Sequence, residues 1–325
     1  MKILVSGASG ALGKRLVRVL LEKGFGVRAL ARNKEGLREA FGSLAMRASA
    51  PAVEAIALDL ETVGRKELKA ACDGVGAVVH LAALVDYSAS RERLLAANAE
   101  ATRKLVEAAK AAGVKKFVFV SSTSVYRKPR YLPVDERHEM AWENAYGESK
   151  ALAEKAVRES GVPFVILRPC LIFGPGFEKP FKQAAALIAR GRMPVMGSGK
   201  NRVALVHCDD VVKAIASALE RAEALQQDFI IAGGALAQER LLEIVAEELR
   251  APRPSLHVPA RLAYALAGAY SLAARAFGKK PFFNREAVGT LAQDRFYSTE
   301  KARRLLGFEP RNLEESVREF AGSLA

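Results

Sequence analysis

The chain is poor in the residues that build metal centres and disulfide frameworks. Its 325 residues include three cysteines and four histidines. Cys72, Cys170 and Cys208 stand far apart with no metal-ligand spacing, and an odd count leaves no paired framework. No resident metal is expected, and a reducing, cytoplasmic setting is. Long apolar runs are missing too. The longest nearly uncharged one, Leu262 to Ala274, is too short to cross a bilayer. No secretory leader is expected, because Met1-Lys2 runs directly into Ile3-Leu4-Val5 and a glycine-rich turn. Acidic residues are the minority charge, 36 against 50 Lys and Arg, for a formal net charge of +14. The excess is spread along the chain with no basic block or aromatic–basic motif, so a nucleic-acid partner is not expected. A phosphorylated cofactor, with an anionic or membrane-borne substrate, suits the charge better.

What is present reads as an α/β protein. Half the residues are hydrophobic, and the length allows one large domain or a large and a small one. Short apolar runs alternate with helical stretches: strands at 2–6, 26–33, 52–58, 76–81, 116–121 and 162–167, and a long Ala/Leu-rich helix at 90–112. Short buried strands alternating with helices predict a doubly wound parallel sheet with right-handed crossovers. Ligands of such sheets bind outside the carboxyl ends of the strands.

The first strand enters Gly7-Ala8-Ser9-Gly10-Ala11-Leu12-Gly13 and then a helix. That context suits a pyrophosphate loop: Gly7 for the tight turn, Gly10 for close backbone approach, Gly13 for helix–strand packing. The second strand ends in Ala31-Arg32-Asn33-Lys34 where an NAD site would place a carboxylate for the ribose 2′-hydroxyl. A guanidinium matches a 2′-phosphate instead, so NADP is the preferred cofactor and NAD the alternative. Asp59, Ala82-Ala83 and Ser121-Ser122 fall at other strand ends, and Asp59 is placed to accept from an adenine amino group.

Tyr146-Gly147-Glu148-Ser149-Lys150 sets a phenol and an amine at i and i+4, one helical face. A cation beside a phenol favours phenolate, which makes Tyr146 a candidate general acid/base. The hydroxyl-rich Ser121-Ser122-Thr123-Ser124-Val125-Tyr126 follows the fifth strand, where a hydroxyl could hydrogen-bond a substrate carbonyl or alcohol.

These stretches, in order with His80-Leu81-Ala82-Ala83, Asn98, Leu167-Arg168-Pro169, Phe173-Gly174-Pro175-Gly176 and Val206-His207-Cys208-Asp209-Asp210-Val211, resemble the extended short-chain dehydrogenase/reductases, the NAD-dependent epimerase/dehydratase group. The resemblance covers essentially the whole chain. It implies a Rossmann domain over 1–173, with 203–232 returning to the sheet, and a mainly substrate-binding α/β region over 174–325. It implies Tyr146 as proton donor/acceptor, and Lys150 as the ribose ligand that lowers the Tyr146 pKa. Ser122 is implied to polarise the reacting oxygen, with Thr123 as the fallback. Gly7, Gly10 and Gly13, with Ser9, Ala11 and Leu12 in the same loop, are implied to hold the pyrophosphate. Asp59 and Leu60 would meet the adenine, and Leu81, Ala82 and Ala83 would line the cofactor's path. Asn98 would buttress the active-site helix, and Pro169 would contact the nicotinamide. A homodimer through 90–112 and 143–160 is implied as well. Tyr126, His207, His80 and Arg168 read as structural.

Two features bear on the substrate. Gly197-Ser-Gly-Lys-Asn-Arg202 sets its arginine one position from where nucleotide-sugar members carry it and omits the following Asp, and Gln293-Asp-Arg-Phe-Tyr-Ser298 lacks Gly-Asp. A diphosphate clamp needs correctly aimed guanidiniums. Residues 258–283 combine Leu, Ala, Tyr and Phe with Arg261, Arg275, Lys279 and Lys280, a basic amphipathic pattern that encloses an apolar substrate, lies on an anionic membrane, or packs on its own domain. Both resemble the 3β-hydroxysteroid dehydrogenase and dihydroflavonol reductase branches. The expected function is an NADP-preferring oxidoreductase for a secondary alcohol or ketone of a lipophilic, sterol- or isoprenoid-like substrate. A nucleotide-sugar epimerase or dehydratase and a non-enzymatic dinucleotide sensor are the rivals.

Overall fold

The computed structural model describes residues 1–42, 53–126, 129–276 and 285–324. Six parallel strands run β1 (Lys2–Ser6), β2 (Gly26–Ala31), β3 (Val53–Ala57), β4 (Ala77–His80), β5 (Lys116–Val120) and β6 (Phe164–Pro169). Beyond them lie β7 (Leu171–Phe173), β8 (Val195–Met196), β9 (Arg202–His207), β10 (Gln227–Ile231), β11 (Gly234–Ala237) and β12 (His257–Val258). The main sheet has the order β10-β6-β5-β4-β1-β2-β3, and every pair in it is parallel. The strand order reverses between β1 and β4, which opens a crevice at their carboxyl ends.

The strands are apolar on both faces because helices cover both faces. Ile3, Val5, Val27, Ala29, Val79, Val118 and Val165 face one core. Leu4, Leu30, Val78, Phe117, Phe119 and Ile166 alternate with them into the other. This period of two is the reason the runs read as continuous hydrophobic segments.

Two departures from expectation have physical causes. The helix foreseen over 90–112 is Arg91–Leu94, then a π-helical stretch Leu95–Glu100, then Ala101–Ala111. The wider turn carries buried Asn98, whose side chain serves the active site. Of the stretch 203–232, only β10 joins the parallel sheet. β9 pairs with β7 and β11 in a separate three-stranded sheet, where Val203 and Leu205 pack with Phe173, Ile244, Val317 and Phe320. That cluster is the heart of the smaller C-terminal α/β region. No helix of the described residues is long and apolar enough to cross a membrane. Lys279, Lys280 and the rest of 277–283 lie outside the described residues.

Candidate active site

The glycine loop is shaped by contacts that leave no room for side chains. Gly7 has φ +70°, and a Cβ there would lie 2.8 Å from the Ala82 nitrogen. A Cβ on Gly13 would sit 2.3 Å from the Gly7 carbonyl oxygen. The helix Ala11–Glu22 begins at Gly10 with no side-chain cap. Its first backbone N–H groups are therefore available to an anion, helped by the helix dipole. A cavity of about 250 Å³ adjoins this loop. Nine expected cofactor residues line it together: Gly7, Ser9, Gly10, Arg32, Asp59, Leu60, Leu81, Ala82 and Ala83. Leu58, Leu84, Arg93 and Ala97 line it too and were not foreseen. Ala11, Leu12 and Gly13 form the first helical turn, and Pro169 ends β6 beside Ile231 of β10. The cradle, the uncapped helix and the strand-end Asp59 and Arg32 fit a dinucleotide.

The catalytic candidates come from two elements pressed closely together. Asn144 caps the helix Ala145–Glu159 by accepting from the Gly147 amide at 2.8 Å. A Cβ on Gly147 would fall 2.3 Å from the Ser124 carbonyl oxygen, so this glycine lets the helix approach the hydroxyl loop. The approach brings Ser122, whose Oγ donates to Ser124 Oγ at 3.0 Å, near enough to Tyr146 to oppose the rise of its pKa. Thr123, the alternative hydroxyl, is buried and opposes the rise of the Tyr297 pKa in the same way.

Tyr146 is 6% exposed and Lys150 2%. Burial pushes the phenol above its ordinary value, Tyr87 adds to that, and Ser122 opposes it. Burial draws the Lys150 ammonium down to about 7, with Glu154 opposing. Lys150 Nζ donates to the Val120 carbonyl at 2.7 Å and lies 4.4 Å from the centre of the Phe119 ring. The expected lowering of the phenol by Lys150 is corrected here: burial is the first cause at both groups, and it raises the phenol and lowers the amine.

Buried polar groups tie this face to the cofactor loop. The Asn98 side chain accepts from the Leu84 amide (2.7 Å) and donates to the Leu84 carbonyl (3.1 Å) and to Ser149 Oγ (2.9 Å). It thereby clamps the segment after β4 to the active-site helix. His80 sits between Ser6 Oγ (2.6 Å) and Thr102 Oγ1 (2.9 Å), and burial first, then the charge of Lys150, holds it neutral, down to about 3. Arg168, 1% exposed, makes a two-pronged pair with Glu154 at 2.9 and 2.6 Å and donates to the Tyr126 hydroxyl at 2.6 Å. His207 caps the helix Cys208–Glu220. Its ring, Cys208 and Asp209 cluster, but Asp209 is paired with Arg15 and Arg311, whose charges oppose a cation there.

The family model described as the NAD-dependent epimerase/dehydratase family matches residues 3–232. The chain belongs to that family. It is therefore an NAD(P)-dependent enzyme of the oxidoreductase/epimerase type. A 2-alkyl-3-oxoalkanoate reductase of Stenotrophomonas maltophilia is 29% identical over 342 residues, covering 100% of both chains. A 3-beta-hydroxysteroid dehydrogenase of Mycolicibacterium neoaurum is 28% identical over 338 residues, covering 95% of this chain and 87% of its own. A short-chain dehydrogenase/reductase superfamily protein of Agrobacterium tumefaciens, solved with bound NAD, is 26% identical with a TM-score of 0.73, covering 100% of this chain and 97% of that one. The resemblance drawn from the motifs thus holds at the level of family and of distant steroid-dehydrogenase relatives.

Tyr87 escaped the sequence reading. Its ring meets Tyr146 edge-on, with centroids 5.3 Å apart. It lies in an aperiodic loop after Ala82-Ala83, and only its short distance from a strand end could have marked it.

Proposed function

We propose that this chain is an NADP-preferring reductase/dehydrogenase acting on the ketone or secondary alcohol of a lipophilic substrate. The observation that carries the substrate class is the state of two arginines. Arg202, the counterpart of a diphosphate-binding arginine, is held by Asp294 through Nε (2.9 Å) and Nη2 (2.8 Å). Arg295 is held by Gln293 through the same two donors, with Glu143 at 3.6 Å. Guanidiniums engaged this way would have to give up these partners to clamp a sugar nucleotide. Apolar Val85, Tyr87, Trp142 and Leu171 stand exposed instead. The first two share the loop that meets Tyr146, and a Cβ on Gly147 would lie 3.0 Å from Trp142 Cβ. The named activities of the two relatives agree with a lipophilic ketone or alcohol. The preference for NADP rests on Arg32, an exposed cation lining the dinucleotide cavity at the end of β2.

The bound nicotinamide supplies or accepts the hydride. Ser122 Oγ and Tyr146 Oη hold the reacting oxygen between them. In reduction Tyr146 Oη donates the proton that converts the developing alkoxide to alcohol, and burial keeps the phenol in the protonated form this needs. Lys150 would hold the ribose hydroxyls of the bound cofactor. We also propose a homodimer through 90–112 and 143–160.

The test is a turnover screen of hydroxysteroids, long-chain β-keto compounds and UDP- and dTDP-sugars, following NADPH absorbance, with thermal shift in parallel. Turnover of an apolar ketone and no shift with nucleotide sugars support the reading. A nucleotide sugar that stabilises the fold and turns over replaces it with epimerase or dehydratase chemistry.

A further inference from the structure

Leu262, Leu266 and Tyr270 lie at i, i+4 and i+8 on the helix Ala260–Ala276, which puts them on one face. They are 51%, 53% and 49% exposed. The opposite face is the packed one: Ala263 and Ala267 are buried with Met196 and Val288, and Tyr264 packs beside them. Ala265 and Ala269 are exposed between the three large residues, so the outer face is apolar across its width. Leu256, before the helix, is 67% exposed. Solvated helix faces normally carry charge, and a large contiguous exposed apolar patch marks an interaction site.

The charge in this stretch of the sequence has one sign. From Ala251 to Arg285 the sequence holds no Asp or Glu, and it holds Arg253, Arg261, Arg275, Lys279, Lys280 and Arg285. Arg253 is engaged by Glu243 and Glu247, and His257 by Glu239, so neither counts toward the excess. Arg261 is exposed beside Leu262. A second copy of the chain is a poor occupant, because a twofold contact through this face would bring Arg261 of both copies together with no acidic residue of this stretch to pair them. A bilayer bearing anionic headgroups complements both properties. Leu side chains enter the acyl boundary, Tyr sits at the headgroup level, and cations meet phosphates.

We propose that the Leu262–Leu266–Tyr270 face docks this enzyme peripherally on an anionic phospholipid surface, with the helix lying in the plane of the interface. The inference is independent of the substrate reading, because its readout is binding and not turnover.

The experiment is co-sedimentation of the full-length protein with phosphatidylglycerol/phosphatidylcholine vesicles and with phosphatidylcholine vesicles alone. Binding is expected with the anionic vesicles only and should fall as salt is raised. Leu262→Asp/Leu266→Asp should weaken partitioning by roughly tenfold or more, and Arg261→Glu by less. Unchanged NADPH binding and melting temperature show that the variants are folded. If the double leucine variant fails to fold, Arg261→Glu and the salt series decide alone. Absence of pelleting, equal binding to neutral vesicles, or binding untouched by the variants overturns the proposal. So does a wild-type dimer that the leucine variant turns into a monomer, which would give the face to a second copy.

Discussion

The ring of Tyr87 stands edge-on to the ring of Tyr146, with centroids 5.3 Å apart and planes at 70°. Burial raises the pKa of Tyr146 first, Tyr87 adds to the rise, and Ser122 opposes it. Tyr87→Phe keeps the ring contact and removes the opposing oxygen. The phenol of Tyr146 should then ionise at lower pH, and the acid limb of the alcohol-oxidation profile should move the same way. Tyr146→Phe should lower kcat by about 10²–10⁴ with NADPH affinity retained. Full turnover by Tyr146→Phe would remove the enzyme reading altogether.

Arg32 tests the cofactor preference. It lines the dinucleotide cavity at the end of β2 without a carboxylate beside it on that strand. A charge-assisted bond to a 2′-phosphate is worth about 1.5–3 kcal/mol. Arg32→Ser should thus raise the KM for NADPH by roughly ten- to hundredfold and leave that for NADH nearly unchanged. Equal stabilisation of the wild type by NAD and NADP in thermal shift would show that Arg32 selects nothing.

Asn98 joins the segment after β4 to the active-site helix through three side-chain hydrogen bonds. Asn98→Ala leaves the Leu84 amide and carbonyl without their partner and should cost about 1–3 kcal/mol. Because the clamp aligns the cofactor loop with Tyr146, kcat should fall more than stability alone explains. Denaturant melts and steady-state kinetics on one preparation separate the two effects, and unaltered kcat in a destabilised variant would leave Asn98 a purely structural residue.

The parallel sheet was legible because strands buried on both faces leave unbroken apolar runs, and the glycine loop because its spacing answers to backbone contacts. Gly7 and Gly13 each face backbone atoms closer than any side chain tolerates. Tyr146 and Lys150 were legible through helical periodicity. What sequence did not carry was environment. That Thr123 bears on Tyr297 while Ser122 bears on Tyr146 depends on a residue about 170 positions away in the chain. That Lys150 is drawn toward neutrality depends on how deeply a helix sinks, which spacing does not encode. The departure of β9 into its own sheet was equally hidden, because a buried strand reads alike in either sheet.

Lys150 and Glu154 sit one helical turn apart, and the pair makes the pH behaviour testable. Burial lowers Lys150 to about 7, and Glu154 opposes that shift. The unfolded chain keeps its lysine protonated up to about 10.4. Between about pH 7 and 10.4 the unfolded state therefore binds the extra proton, so the penalty for burying Lys150 is full below pH 7 and is relieved as pH rises. The melting temperature of the cofactor-free enzyme should climb from pH 7 to 9 more steeply in wild type than in Lys150→Met. Glu154→Gln keeps the shape and deletes the charge. It should move the Lys150 titration below about 7, and it should also weaken the buried pair with Arg168, whose two contacts lie at 2.9 and 2.6 Å. Full removal in Glu154→Ala leaves a buried guanidinium short of its main partner and should cost about 3–5 kcal/mol. Adding Arg168→Met to that variant should restore much of the loss, while the altered pH dependence of Lys150 persists. If the double variant regains the wild-type pH profile as well, Glu154 acts on Lys150 only through the fold and not through its charge.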